Sequence, residues 1–107
     1  MIYEYRIYDI VPGKLPDIHN RFANITTRIF KKHGINVVAF WEPVIGTSNQ
    51  LHYILAFDSL AHREKAWNAF QSDEEWLKAR AETERGGPIV ARVVNYILRP
   101  TPYSPMQ

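Results

Sequence analysis

A chain of 107 residues, 46% hydrophobic and 22% charged, has the size and composition of one domain with an ordinary core. Its 13 basic and 11 acidic residues are mixed along the sequence, so the net charge of +2 builds no basic patch and nucleic acid is not an expected partner. The absence of cysteine excludes disulfides, thiolate metal sites and a cysteine nucleophile; with no apolar run near the ~18 residues that span a bilayer and no targeting segment in view, the expected setting is cytoplasmic, with no membrane partner.

Ile2 to Asp9, rich in tyrosine and isoleucine, predicts a strand closed by the turn Val11-Pro12-Gly13. Leu15, Ile18, Phe22, Ile25 and Ile29 then recur in steps of three and four, the apolar stripe of a helix. Pro16 and Asp17 suit its first turn, and Lys31, Lys32 and His33 its last, ahead of Gly34. Ile35 to Ile45 reads as a long strand, joined through Gly46-Thr47-Ser48-Asn49 to Leu51 to Phe57 as a hairpin. Pro43 implies an edge strand or a bulge there. Asp58 or Ser59 caps the next helix, with Leu60, Ala66, Trp67 and Phe70 facing inward. Ser72 and Glu75 have capping-box spacing, so the helix restarts there and carries Trp76 and Leu77 toward the core before Gly86-Gly87-Pro88 ends it. Ile89 to Leu98 is the last strand.

The order βαββαβ is that of the ferredoxin-like α+β plan, a four-stranded antiparallel sheet with helices on one face. Residues 1-98 are expected to form this domain. Residues 99-107 contain Arg99-Pro100-Thr101-Pro102-Tyr103-Ser104-Pro105 and are expected to form an extended arm, docked on a partner subunit or a barrel mouth with Tyr103 as its anchor. The strands do not alternate cleanly: in the first, Tyr3, Tyr5 and Ile7 oppose Ile2, Glu4, Arg6, Tyr8 and Ile10, so both sheet faces carry large apolar groups. Helices cover one face only. A bare second face would exceed the apolar patch that monomers tolerate, and its economical cover is the same face of a second copy, which predicts a homodimer.

Tyr3-Glu4-Tyr5-Arg6-Ile7-Tyr8, Pro12-Gly13-Lys14, Gly34, Trp41, Gly46, Asn49, Arg63, Asp73 to Trp76 and the closing Leu98 to Pro105 together resemble the NIPSNAP family over nearly the whole chain. That resemblance implies a dimeric α/β barrel, two ferredoxin-like chains joined sheet to sheet, and a family of unsettled activity.

Glu4 and Arg6, two apart in a strand, point to one side, with Tyr8 next along. They are expected to share the enclosed barrel lining with His52. There Arg6 pairs with an anionic or enolic oxygen, His52 or Glu4 moves a proton, and Tyr8 donates a hydrogen bond to a small organic ligand. Trp41 is the tryptophan placed as a ligand contact, whereas Trp67 and Trp76 are read as core anchors. His19, His33 and His62 read as solvated helix residues, and no zinc spacing or haem signature stands out, so no metal and no cofactor are expected. Two classes stay open: a cofactor-free enzyme of monooxygenase or isomerase type, and a non-catalytic dimer that binds a ligand or a protein.

Overall fold

The computed structural model describes all 107 residues. Its elements run β1 (Ile2–Ile10), α1 (Leu15–Arg21), a π-helical turn (Phe22–Thr26), α2 (Thr27–Lys32), β2 (Asn36–Trp41), β3 (Gln50–Phe57), α3 (Leu60–Gln71), α4 (Glu74–Thr83) and β4 (Val90–Leu98). The strands form one antiparallel sheet in the order β2-β3-β1-β4. The helices cover one face, giving the ferredoxin-like α+β fold, and the 19 Å short dimension is that of two layers. Edge strand β2 carries a bulge between Val37 and Ala39 and ends at Trp41, short of Pro43, which has no amide to offer the ladder.

The first helix differs from its sequence pattern in one respect. Its middle turn widens to π geometry: the Thr27 amide donates to the Phe22 carbonyl five residues back, and the Thr27 hydroxyl donates to the same oxygen at 2.9 Å. Arg21 and Phe22, three and four residues after Ile18, both face inward, and the surplus residue then leaves Ile25 half-buried and puts Thr26 in the interior, followed by Ile29 and Phe30. Ser59 caps α3 by accepting from the His62 amide at 3.1 Å. Asp73, and not Ser72, caps α4, accepting from the Trp76 amide at 3.0 Å. Leu60 and Leu77, both expected inside, are exposed. The inward stripe of α3 begins at Arg63, which reaches β1; in α4, Trp76 takes the inward position and its neighbour Leu77 lies ~100° around the helix.

Phe22, Phe30, Tyr53, Phe57, Phe70 and Trp76 dominate the core between the layers. Ring centroids of Phe30 and Phe70 lie 4.7 Å apart and those of Phe70 and Trp76 4.8 Å apart, contacts worth ~0.5–1.5 kcal/mol each beyond the area they bury.

Strand register decides which side chains meet the helices. Arg6 stands opposite Tyr53, and Ile7 opposite His52. Glu4, Arg6, Tyr8 and Ile10 therefore share the helix-covered face with Leu51, Tyr53, Leu55 and Phe57. Tyr3, Tyr5 and Ile7 share the other face with His52, Ile54, Trp41 and Tyr96. The expected common lining of Glu4, Arg6 and His52 is thus corrected: the charged pair lies under the helices because Arg63 descends from α3 to meet Glu4.

Residues 99-107 are compact where an extended arm was expected. Pro102 occupies the second position of a turn closed by the Ser104 amide donating to the Thr101 carbonyl at 3.1 Å. The Gln107 side chain donates to the Thr101 and Ser104 carbonyls, and its backbone carbonyl accepts from the Tyr3 hydroxyl at 2.7 Å. Tyr103 is 87% exposed and anchors nothing within its own subunit.

Candidate functional site

Glu4 is fully buried at the centre of a polar cluster built from three elements. Arg63 of α3 donates to both carboxylate oxygens, at 2.8 and 3.0 Å; Arg6 of β1 donates from Nη1 at 2.8 Å, and Asn95 of β4 from Nδ2 at 2.9 Å. Burial opposes ionisation, but the hydrogen bonds from Arg63, Asn95 and Arg6 outweigh it and hold the carboxyl below its usual range. With four donors on two oxygens, Glu4 has the geometry of a counterion, and such a carboxylate is a weak base.

Arg6 is held from the other side as well. Its Nε donates to the Tyr53 hydroxyl at 2.8 Å, and that hydroxyl lies 2.6 Å from the hydroxyl of Tyr8. Burial works against the charge on Arg6, yet the oxygens of Tyr53, Tyr8 and Glu4 more than offset it and stabilise the guanidinium. A cation donating to the Tyr53 oxygen strengthens Tyr53 as a donor, which favours the order Arg6 to Tyr53 to Tyr8. Tyr8 then keeps its own proton for a third acceptor. The guanidinium also sits 4.4 Å from the Trp67 ring centroid, at cation–π distance.

Between the helices and the β1–β4 side of the sheet lies a cavity of about 160 Å³. Arg6, Tyr8, Phe22, Trp67 and Trp76 supply much of its wall; Arg80, Glu84 and Val93 line it as well. The π-helical turn adds Thr26, and Arg21, the last residue of α1, stands at the wall, 6% exposed. Arg21 is poorly compensated. Its Nη1 is 3.3 Å from the Thr83 hydroxyl and 3.6 Å from the Glu84 carboxylate, and its buried Nε has no hydrogen-bond partner. Burial holds its pKa below the usual arginine value, partly offset by Glu84, and a guanidinium so placed still carries its proton.

The opposite face carries a different arrangement. A groove of about 390 Å³ runs over Tyr5, Trp41, His52 and Ile54. Arg92 donates to Asp9 at 2.8 Å, and the Gln50 amide donates to Asp9 at 2.7 Å. Because a carboxylate only accepts, Gln50 turns its oxygen to His52 Nε2 at 2.9 Å, and His52 Nδ1 is left to accept from the Tyr5 hydroxyl at 2.6 Å. The sheet separates this chain of bonds from the cavity, so Arg6, Glu4 and Tyr8 are brought together while His52 and Trp41 stand apart from them.

Sequence reasoning did not find Arg21, Thr26, Arg80 or Glu84. Arg21 carried a usable signal: it falls three residues after Ile18, on the apolar stripe, where a charge needs a reason. No group of three or more histidine, aspartate or glutamate side chains is placed to hold a metal ion, and no helix is long and apolar enough to cross a membrane.

The NIPSNAP family model matches residues 3–105. The chain belongs to the NIPSNAP family. This NIPSNAP chain is 28% identical over 106 residues to Protein NipSnap of Drosophila melanogaster, covering 99% of the chain but 37% of that relative, so it spans little more than a third of the curated protein's length. Among solved structures it resembles protein Atu4242 from Agrobacterium tumefaciens, with 27% identity, full coverage of both chains and a TM-score of 0.87. A more distant likeness, TM-score 0.60 at 16% identity over 92% of this chain and 93% of the other, is to an MhuD variant described with two manganese protoporphyrin IX per active site. At that identity the likeness carries the fold alone.

Proposed function

We propose that each subunit binds a small organic molecule in the helix-side cavity, and that two subunits pair through the helix-free sheet face. The observation that carries the reading is an aromatic-walled cavity of about 160 Å³ into which β1 and α1 set two buried arginines. Binding pockets combine such an apolar wall with a few placed polar groups. Pairing is supported by the exposure of Trp41, Tyr96 and Leu98 on a face with no helix over it. The cysteine-free composition fits a reducing, cytoplasmic setting.

Porphyrin does not carry over from the distant neighbour. No histidine lines the cavity, and its volume is far below that of a macrocycle. A catalytic reading keeps one specific support, the Tyr8 hydroxyl, which the bonds from Arg6 and Tyr53 leave free to donate to an oxygen of the ligand.

A fragment screen by ligand-observed NMR tests the cavity. Val93→Trp, at a half-exposed lining position, should abolish the hits while the melting temperature holds; hits that survive it place binding elsewhere. Sedimentation tests the pairing: the native chain should run as a dimer and Tyr96→Glu as a monomer, and a native monomer at high concentration removes it.

A further inference from the structure

We propose that the cavity is selective for a single-ring aromatic carboxylate, with Arg21 as the residue that receives the carboxylate. The inference rests on the reading of the cavity as a ligand site and adds the charge and size of what enters it.

Charge comes first. Three guanidiniums and one carboxylate line the cavity: Arg6, whose counterion Glu4 lies behind the wall and is shared with Arg63, and Arg80 and Arg21, which share the lining carboxylate of Glu84. Each group keeps one positive charge in excess. In the first the excess is relieved by Arg63, which is one-quarter exposed. In the second, Glu84 lies 2.9 Å from the half-exposed Arg80 and 3.6 Å from Arg21, so the carboxylate is nearer the cation that needs it less. The deeply buried Arg21 is left with one long bond to Thr83, an unpartnered Nε and the face of Trp76 at 5.2 Å. A buried cation without a close counterion is costly, and folds retain one where an anion is to be met. The planar guanidinium suits a planar carboxylate. Tyr8, on the same wall, adds a neutral donor for a second oxygen.

Size comes second. A cavity of about 150 Å³ holds one benzene molecule, and this one has about 160 Å³. Phe22, Trp67, Phe70 and Trp76 offer ring faces and edges around it. That volume matches one ring.

The test uses the full chain with benzoate, benzamide and inorganic phosphate as probes, read by calorimetry and by indole N–H shifts. Trp67 and Trp76 report the cavity, and Trp41, across the sheet, serves as internal reference. A charge-assisted contact corresponds to about tenfold or more in affinity, so benzoate should bind at least ~10-fold more tightly than benzamide, moving Trp67 and Trp76 but not Trp41. Phosphate, which has no ring, should not compete. Arg21→Gln should weaken benzoate to the level of benzamide and leave benzamide unchanged. Equal binding of the two ring compounds to the native chain overturns the anion assignment while the cavity reading survives. Competition by phosphate overturns the ring assignment alone, and binding of neither ring compound overturns this inference even where other fragments occupy the cavity. Should Arg21→Gln fail to fold, the benzoate–benzamide ratio on the native chain still decides the charge preference, and Thr83→Val, which removes the one hydroxyl partner of Arg21, should preserve it.

Discussion

Replacing Glu4 by glutamine keeps the shape of the side chain and removes the charge on which Arg6, Arg63 and Asn95 converge. Glutamine offers one accepting oxygen where the carboxylate offered two, and its amide nitrogen is set against guanidinium donors. Arg63, one-quarter exposed, can turn toward water; Arg6, with 9% of its side chain exposed, cannot. The cost is therefore that of one buried cation losing its partner, ~3–5 kcal/mol. With an unfolding entropy of ~2 cal/mol/K per residue, a chain this long loses ~4–5 °C per kcal/mol, so Glu4→Gln should melt ~13–22 °C lower. Differential scanning calorimetry at neutral pH measures it. The double change Glu4→Gln, Arg6→Met removes the stranded cation and should recover more than half of the loss. A single variant melting within ~5 °C of the native chain, or a double variant no better than the single, would refute the view that Glu4 is the counterion that buried Arg6 needs.

Three further outcomes can be measured. Asp73 accepts from Lys32, His33 and the Trp76 amide, which hold its carboxyl far below the usual range, so its contribution is complete above the unfolded value near 3.8 and is lost as pH falls through the lower folded value. Asp73→Asn, which keeps the cap, should flatten the acid limb of the stability profile below pH ~4, and an unchanged limb refutes the assignment. His52 should populate the Nε2–H tautomer in ¹⁵N spectra, as its bonds to Gln50 and Tyr5 require, and Gln50→Glu should keep that tautomer while Gln50→Leu releases it; an Nδ1–H native spectrum contradicts the relay. Truncation after Leu98 removes the bond from Tyr3 to Gln107 and uncovers the end of the helix-free face, so the dimer should dissociate more readily; unchanged sedimentation counts against a role for the tail in pairing.

Much of the architecture was legible because period and punctuation agree. Proline, glycine and the Ser59 cap bracket the elements, and the edge position of β2 was read from Pro43, although the strand stops at Trp41 before reaching it. What escaped was side-chain direction. In β1, Glu4 and Arg6 looked suited to a wet lining because their partners, Arg63 and Asn95, lie 59 and 91 residues further along and cannot be paired with them from spacing. Tyr3, Tyr5 and Ile7 were just as able to face inward. Only the strand register, Arg6 against Tyr53 and Ile7 against His52, separates the two sets. The same limit applied to Thr26, which takes the inward place expected of Ile25 because of a widened turn that a stripe of constant period does not foresee. The tail was misread for a simpler reason: prolines favour extension, but Pro102 also begins a tight turn that Gln107 then closes with side-chain bonds.

The π-helical turn gives the family member an unusual point of vulnerability. Loss of a single residue from Phe22–Thr26 would let the coil close to ordinary pitch without severing any connection, so the fold could persist. The segment before the turn would rotate by ~100° against the one after it, so Ile18, Arg21 and Phe22 could no longer face the core together with Ile29 and Phe30. A reading-frame-preserving deletion of one codon could therefore erase recognition while every remaining amino acid stays as it was.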